Sequence, residues 1–252
     1  MTLDGRHALV TGGGTGIGLA IARALAGAGA EVTITGRRLE VLEAAAEGAP
    51  RLHPLAMDVS EEADVVRGVA EAVTARGPVT ICVANAGIAE GRSLAKTGLD
   101  FWQRMMAVNL DGAFLTIREC LPGMREAGWG RVIAVSSIAG VKGLKGAPAY
   151  TASKHGLLGL IRGLSEDFLG SGITFNALCP GYVDTPIVER NVAAISERAG
   201  VSEADAMAIM VGANRHGRLI APDEVAAAAL WLCLPGSESV NGQAIEIAGG
   251  QV

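Results

Sequence analysis

Short, almost wholly apolar runs alternate with helix-length segments along this 252-residue chain. The runs cover 7–11, 31–35, 52–57, 79–83, 131–135, 173–178 and 244–247. Helical stretches lie between them at 17–28, 39–47, 61–75, 101–124 and 150–169. Near-continuous apolar strands need cover on both faces, which a parallel sheet between two helix layers provides. Right-handed crossovers then make that sheet doubly wound. The expected fold is α/β, a doubly wound parallel sheet forming one domain over residues 1–252. Half of the residues are hydrophobic and 19% are charged, enough for a large core at a length where α/β folds commonly stay undivided. Ligands of such sheets bind beyond the carboxyl ends of the strands, so the loops there carry the functional question.

The first of those loops is rich in glycine. Arg6 to Val10 reads as a buried strand, Thr11-Gly12-Gly13-Gly14-Thr15-Gly16-Ile17-Gly18 follows, and an Ala/Leu/Ile-rich helix comes next. A glycine turn between strand and helix lets backbone N–H groups and the positive helix end meet a phosphate at close range. The spacing is Gly-x-x-x-Gly-x-Gly, different from the commoner dinucleotide fingerprint, but the strand–turn–helix context is the required one.

Tyr150 and Lys154 stand four apart at the start of a helical run. Residues so spaced share a helix face, with Cβ atoms about 5–6 Å apart. An ammonium at that range favours the ionised phenol. Each unit below the free value of ~10 takes about 1.36 kcal/mol, so a partly buried pair could act as acid or base near neutral pH.

Further motifs fall at matching intervals: Asn85-Ala86-Gly87 after the run 79–83, Val108-Asn109, Ser137 thirteen residues before Tyr150, and Pro180-Gly181-Tyr182-Val183-Asp184-Thr185-Pro186. Together with the glycine loop they resemble the short-chain dehydrogenase/reductase family over essentially the whole chain. Ala84 and Ala248 stand where that family often has Asn and Asp, and neither touches the reacting groups. The resemblance implies a Rossmann-like fold and an oxidoreductase interconverting a ketone and a secondary alcohol. It implies Tyr150 as acid/base, Ser137 as hydrogen-bond partner of the substrate oxygen, and Lys154 as the group that lowers the Tyr150 pKa and holds the nicotinamide ribose. Asn109 would anchor a water that links Lys154 to solvent. The cofactor would lie on Gly12, Gly14, Thr15, Gly16, Ile17 and Gly18, with Asp58 and Val59 at the adenine. Asn85, Ala86 and Gly87 would line its middle, and Pro180, Gly181, Val183 and Thr185 the nicotinamide side.

Cofactor choice reads from the end of the second strand, where Gly36 stands in place of an acidic residue and Arg37 and Arg38 follow. A carboxylate there would bind the ribose 2′-hydroxyl of NAD. A guanidinium instead takes a 2′-phosphate in a charge-assisted pair. The expectation is NADP(H), held by Arg37 with Arg38 as partner, with NAD(H) still open.

From 187 to 218 the strand–helix alternation lapses, and Val192, Ile195, Val201, Met207, Ile209, Met210 and Val211 stand among charges. This is either a surface excursion packing its own apolar face or, as the resemblance favours, a helical lid over the substrate. The run 153–156, the segment 140–150 and the stretch near 200–203 look similar to 3-oxoacyl reductases and polyketide ketoreductases. That favours a 3-oxoacyl thioester or polyketide-like ketone, with an alcohol, sugar or alicyclic alcohol as the alternative. A catalytically silent binding module would lack Tyr150 or Lys154, and both are present. Lys142 and Lys145 read as solvated charges or as contacts for a phosphate-bearing acyl carrier. His155 reads as structural, and His216 stays open.

The net charge of −5 offers no basic patch for nucleic acid. The longest apolar stretch, 225–234, is half a membrane span and reads as a buried helix. No signal peptide is visible at the start, and the scattered Cys82, Cys120, Cys179 and Cys233 suggest core thiols of a cytoplasmic protein, with no metal site. Leu157, Leu158, Leu160, Ile161, Leu164 and Phe168 exceed one helical stripe, and with the family's habit of pairing such helices they suggest a homotetramer.

Overall fold

In a computed structural model, residues 3–251 are described, apart from the side chains of Arg190, Ala194, Ile195, Glu197, Arg198 and Ala199. Strands β1 (His7–Thr11), β2 (Glu31–Gly36), β3 (Leu52–Ala56), β4 (Val79–Ala84), β5 (Gly130–Val135), β6 (Ile173–Pro180) and β7 (Ala244–Ile247) match the expected runs closely. They form one sheet in the order β3-β2-β1-β4-β5-β6-β7, with every neighbouring pair parallel. The strand order reverses between β1 and β4. The carboxyl ends of those two strands carry the glycine loop and Asn85.

Helices α1 (Gly16–Gly27), α2 (Leu39–Ala46), α3 (Glu62–Arg76), α4 (Leu99–Met106), α5 (Gly112–Ala127), α6 (Pro148–Asp167), α7 (Pro186–Ala199), α8 (Glu203–Ala213) and α9 (Pro222–Cys233) occupy the connections. Successive strand residues point to opposite faces, and the core divides accordingly. Ala8, Val10, Ile81, Val83 and Ile133 pack on one side with Ile21, Leu25, Val225 and Leu232. Leu9, Cys82, Val132 and Ala134 pack on the other with Val69, Ile117, Leu157 and Ile161. Two buried faces explain why the strands read as continuous apolar runs.

One expected helix is interrupted. The segment 101–124 was expected to be continuous, but α4 and α5 are joined by a five-residue π-helical turn, Ala107–Asp111. An inserted residue of this kind shifts the phase of the helix and often marks a functional position. Here it turns the buried Asn109 toward the β4 loop, where its carboxamide is fully used. Gly112 then lets the helix press onto Val59, whose atoms lie 2.8–2.9 Å from where a Cβ would sit.

The excursion at 187–218 is helical, formed by α7 and α8, and it has a small core of its own. Val188, Val192, Ala206 and Met210 are buried together, with Tyr182, Val201, Met207 and Leu219 around them. The Ser202 hydroxyl caps α8 by accepting the Asp205 N–H at 3.1 Å. Ile209 is 61% exposed, and the Ile195 side chain lies outside the described residues. The apolar run 225–234 is α9, whose Val225, Ala226, Ala229 and Leu232 are buried. Among the described residues no helix is long and apolar enough to cross a membrane.

Candidate active site

The glycine loop is held from below by polar groups of β1 and β4. The Thr11 hydroxyl accepts the N–H groups of Asn85 and Ala86, each at 3.0 Å. Asn85 Nδ2 in turn donates to the carbonyls of Thr11 and Gly12 at 2.8 and 3.3 Å. The Asn85 side chain therefore shapes the loop. Gly12 and Gly16 have φ of +64° and +52°, a region that disfavours any other residue. At Gly18 a Cβ would lie 2.3 Å from the Gly12 carbonyl oxygen and 2.4 Å from Asn85 Nδ2. Thr15 begins α1 in an extended conformation with no side-chain cap, leaving the first-turn amides for an outside acceptor. Such a cradle fits a pyrophosphate.

The expected catalytic residues converge at the carboxyl ends of β4 and β5. Ser137 follows β5 and starts a short 3₁₀ turn, accepting the Ala139 N–H at 3.1 Å. Tyr150 sits on the first turn of α6, half-buried against Ile88, Phe101, Met105 and Ala149. Its phenol lies within electrostatic reach of the Ser137 hydroxyl. One turn on, Lys154 is 4% exposed and its Nζ donates to the Val135 carbonyl at 2.9 Å. Asn109 Oδ1 accepts the Ile88 N–H at 2.8 Å, while its Nδ2 donates to the Ile88 carbonyl and to Ser153 Oγ. Ser153 donates to the Tyr150 carbonyl at 2.8 Å, closing a chain from Asn109 to α6. Ser153 and Thr11 were not expected as site residues. A single sequence gives no signal that separates these hydroxyls from ordinary helix and strand positions.

Electrostatics at the pair depart from the simple expectation. Burial pushes the Tyr150 phenol above its usual value, and the nearby Ser137 hydroxyl opposes that shift. Burial also lowers Lys154 to about 8. The ammonium lies 5.9 Å from the centre of the Tyr150 ring and is directed at the Val135 carbonyl. Burial sets the direction of the Tyr150 shift, opposite to the lowering expected from Lys154.

Other expected residues are near the same sheet edge. Thr185 packs its methyl 3.0 Å from where a Gly16 Cβ would be, joining the 180–186 loop to the glycine loop. Pro180 pairs in register with Ile247, the Gly181 N–H donates to the Ile247 carbonyl, and Val183 bridges to Ile220. Asp58 is bonded by Ser60 and its N–H donates to Asp64, while Val59 is buried under Gly112. Gly14 packs against Val41 and Leu42 of α2, beside the exposed Arg37 and Arg38. Gly87 lies close to Asn109 Oδ1 and Lys154 Nζ. Lys142 is not a free charge: its Nζ donates to the Gln251 carbonyl at 2.8 Å, whereas Lys145 is exposed. His155 bonds the Thr151 carbonyl on the exposed face of α6, as a structural residue would. His216 packs its ring on Gly249.

A sequence profile for the short chain dehydrogenase family matches residues 6–195. The chain belongs to that family. Among short-chain dehydrogenases, the D-beta-hydroxybutyrate dehydrogenase of Cupriavidus necator is 34% identical, covering 99% of each chain. The acetoacetyl-CoA reductase of Rhizobium meliloti is 37% identical over 77% of this chain and 76% of its own. A solved variant of the actinorhodin polyketide ketoreductase with NADPH superposes with a TM-score of 0.94 at 34% identity, covering 98% of this chain and 97% of that one. Membership makes the chain an oxidoreductase acting between carbonyl and alcohol groups.

Proposed function

We propose that the chain is an NADP(H)-dependent ketoreductase that converts a 3-oxoacyl thioester or related polyketide-like ketone to its secondary alcohol. The observation that carries this reading is the convergence of Ser137, Tyr150 and the buried Lys154, one helical turn beyond Tyr150, with Asn109 tied to that turn through Ser153. When bound, the dinucleotide supplies the hydride. Ser137 donates a hydrogen bond to the substrate oxygen, and Tyr150 Oη gives that oxygen its proton as negative charge develops there. A phenol held above its usual pKa is fully protonated at neutral pH, which suits it to act as the acid in reduction. Lys154, near 8, can take up and release a proton close to neutral pH and replenish Tyr150. The Asn109–Ser153 chain fixes the helix turn that carries both.

The residues fit the cofactor. The glycine cradle would hold the pyrophosphate, Asp58 and Val59 the adenine, and the 180–185 loop the nicotinamide side. Arg37 and Arg38 would take a 2′-phosphate, since both are exposed and neither guanidinium has a hydrogen-bond or ion-pair partner among the described residues. The NADPH of the similar ketoreductase supports this choice over NAD(H). Arg37→Ala is expected to weaken NADPH binding roughly ten- to hundredfold and to spare NADH, the loss of one charge-assisted contact. Titration of both cofactors by nicotinamide fluorescence checks it, and equal losses would assign Arg37 to the fold.

The α7–α8 excursion would serve as the lid. Several relatives are named for hydroxybutyrate or acetoacetyl-CoA, and the hydroxybutyrate dehydrogenases make oxidation of a small 3-hydroxy acid the second reading. Nicotinamide absorbance with 3-oxoacyl thioesters, acetoacetate and simple ketones, each with NADPH and NADH, separates the two.

A cytoplasmic homotetramer completes the reading. Cys82, Cys120, Cys179 and Cys233 are all buried and free, as in a reducing compartment. Leu160, Leu164 and Phe168 lean on the core, so the apolar surface left for assembly here is at Phe114 of α5 and at Leu169 just beyond α6, 45% and 66% exposed. Sedimentation at micromolar concentration should give a tetrameric mass. A fully active monomer would overturn it.

A further inference from the structure

Asn214 ends α8 and is completely buried, yet it lies outside every motif considered above. Its carboxamide is used to capacity. Oδ1 accepts the Tyr182 N–H at 3.1 Å, and Nδ2 donates to the carbonyls of Tyr182 and Arg218, each at 2.9 Å. Its own N–H and carbonyl are bonded to Val211 and Gly217. By exchanging bonds with both backbone groups of Tyr182, the side chain stands in for a strand neighbour. Tyr182 is where the chain departs into α7 and α8, and Arg218 is where it returns. Ile220 completes the junction, donating to the Tyr182 carbonyl and accepting the Asp184 N–H, each at 2.9 Å. Asn214 also explains Gly181, where a Cβ would stand 2.6 Å from Asn214 Oδ1.

We propose that Asn214 is a positioning residue, a clamp that closes the base of the α7–α8 excursion and fixes the 180–185 loop. A satisfied buried amide network is rigid, because each of its groups would be costly to leave unpaired. The loop it fixes runs to Thr185, which touches the glycine loop at Gly16. Through that loop the clamp governs how the nicotinamide end and the carbonyl substrate are seated, while the adenosine end rests on Arg37 and the glycine cradle. The inference rests on the dinucleotide reading above for its functional consequence, and on the hydrogen bonds alone for the clamp.

The test uses the full chain and Asn214→Leu, which keeps the branching of the side chain and removes every side-chain bond. NADPH affinity should fall about tenfold and the ketone KM should rise. The affinity for 2′-phospho-ADP-ribose, which lacks the nicotinamide end, should not change. Equal losses for NADPH and 2′-phospho-ADP-ribose, or no loss for either, would overturn the proposal. In the ligand-free variant, hydrogen exchange at the Tyr182 and Ile220 amides should quicken about tenfold. Unchanged exchange there overturns the clamp itself. Failure of the wild type to bind either nucleotide would instead refute the dinucleotide reading and leave the exchange result standing. Should Asn214→Leu not fold, Asn214→Asp keeps the acceptor for Tyr182 and loses both donors, so the same selective loss of NADPH is expected. Selective loss supports the clamp, and its absence refutes it.

Discussion

Tyr150→Phe will lower turnover about a thousandfold or more, within the range general acid catalysis contributes, and leave dinucleotide affinity within about twofold. The ring sits against Ile88, Phe101, Met105 and Ala149, and phenylalanine keeps that packing. Only the hydroxyl is lost, which faces Ser137. Thermal stability should hardly move, so a fall in activity cannot be ascribed to unfolding. The pH dependence follows from the upward shift of the phenol. Reduction uses the neutral form, which persists throughout the neutral range, whereas alcohol oxidation uses the phenolate and should climb steadily with pH. Initial rates in both directions from pH 6 to 10 would show this. A variant retaining a tenth of the wild-type kcat would remove Tyr150 from the acid role.

The fold was legible because its signals are local and repeated. Strands buried on two faces must be apolar throughout, and β1 to β7 fall within two residues of the expected runs. The glycine loop was legible for a steric reason: at Gly12, Gly16 and Gly18 the backbone conformation or the approaching Gly12 carbonyl excludes a side chain. What escaped depends on contacts between residues far apart in the chain. The π-helical turn at Ala107–Asp111 exists because Asn109 bonds Ile88 and Ser153, and neither partner is implied by helical periodicity. Lys142 reads in sequence as a solvated charge or a carrier contact, and neither reading implies its bond to Gln251, more than a hundred residues away. The Tyr150–Lys154 spacing puts both residues on one turn of α6 but does not give their electrostatics, since proximity on a helix says nothing of how deeply each group is buried. Asn214, 32 residues beyond Tyr182, was hidden for the same reason.

The depth of Lys154 leads to the second large effect, an exchange of stability for function. Burial holds the ammonium at about 8, against 10.5 for the free side chain. Between those values the unfolded chain binds more protons than the folded one, so this site makes stability rise with pH. Below pH 8 the folded chain bears the whole cost of the buried charge, on the order of 3 kcal/mol. Lys154→Met removes that charge and fills the same space with an unbranched side chain. It also leaves the Val135 carbonyl without its donor, a loss of about 1–3 kcal/mol. At pH 7 the first effect wins, and Tm should rise by a few degrees, about 2–4 °C per kcal/mol for a domain of this size. As pH rises toward 10.5 the wild type sheds its penalty while the variant keeps its orphaned carbonyl, so the difference should shrink and then reverse. Activity should fall at least a hundredfold at neutral pH, because the proton reservoir one helical turn from Tyr150 is gone. Thermal melts of both proteins from pH 6.5 to 10.5 decide it: a variant less stable than wild type at pH 7 would show that the ammonium supports the fold.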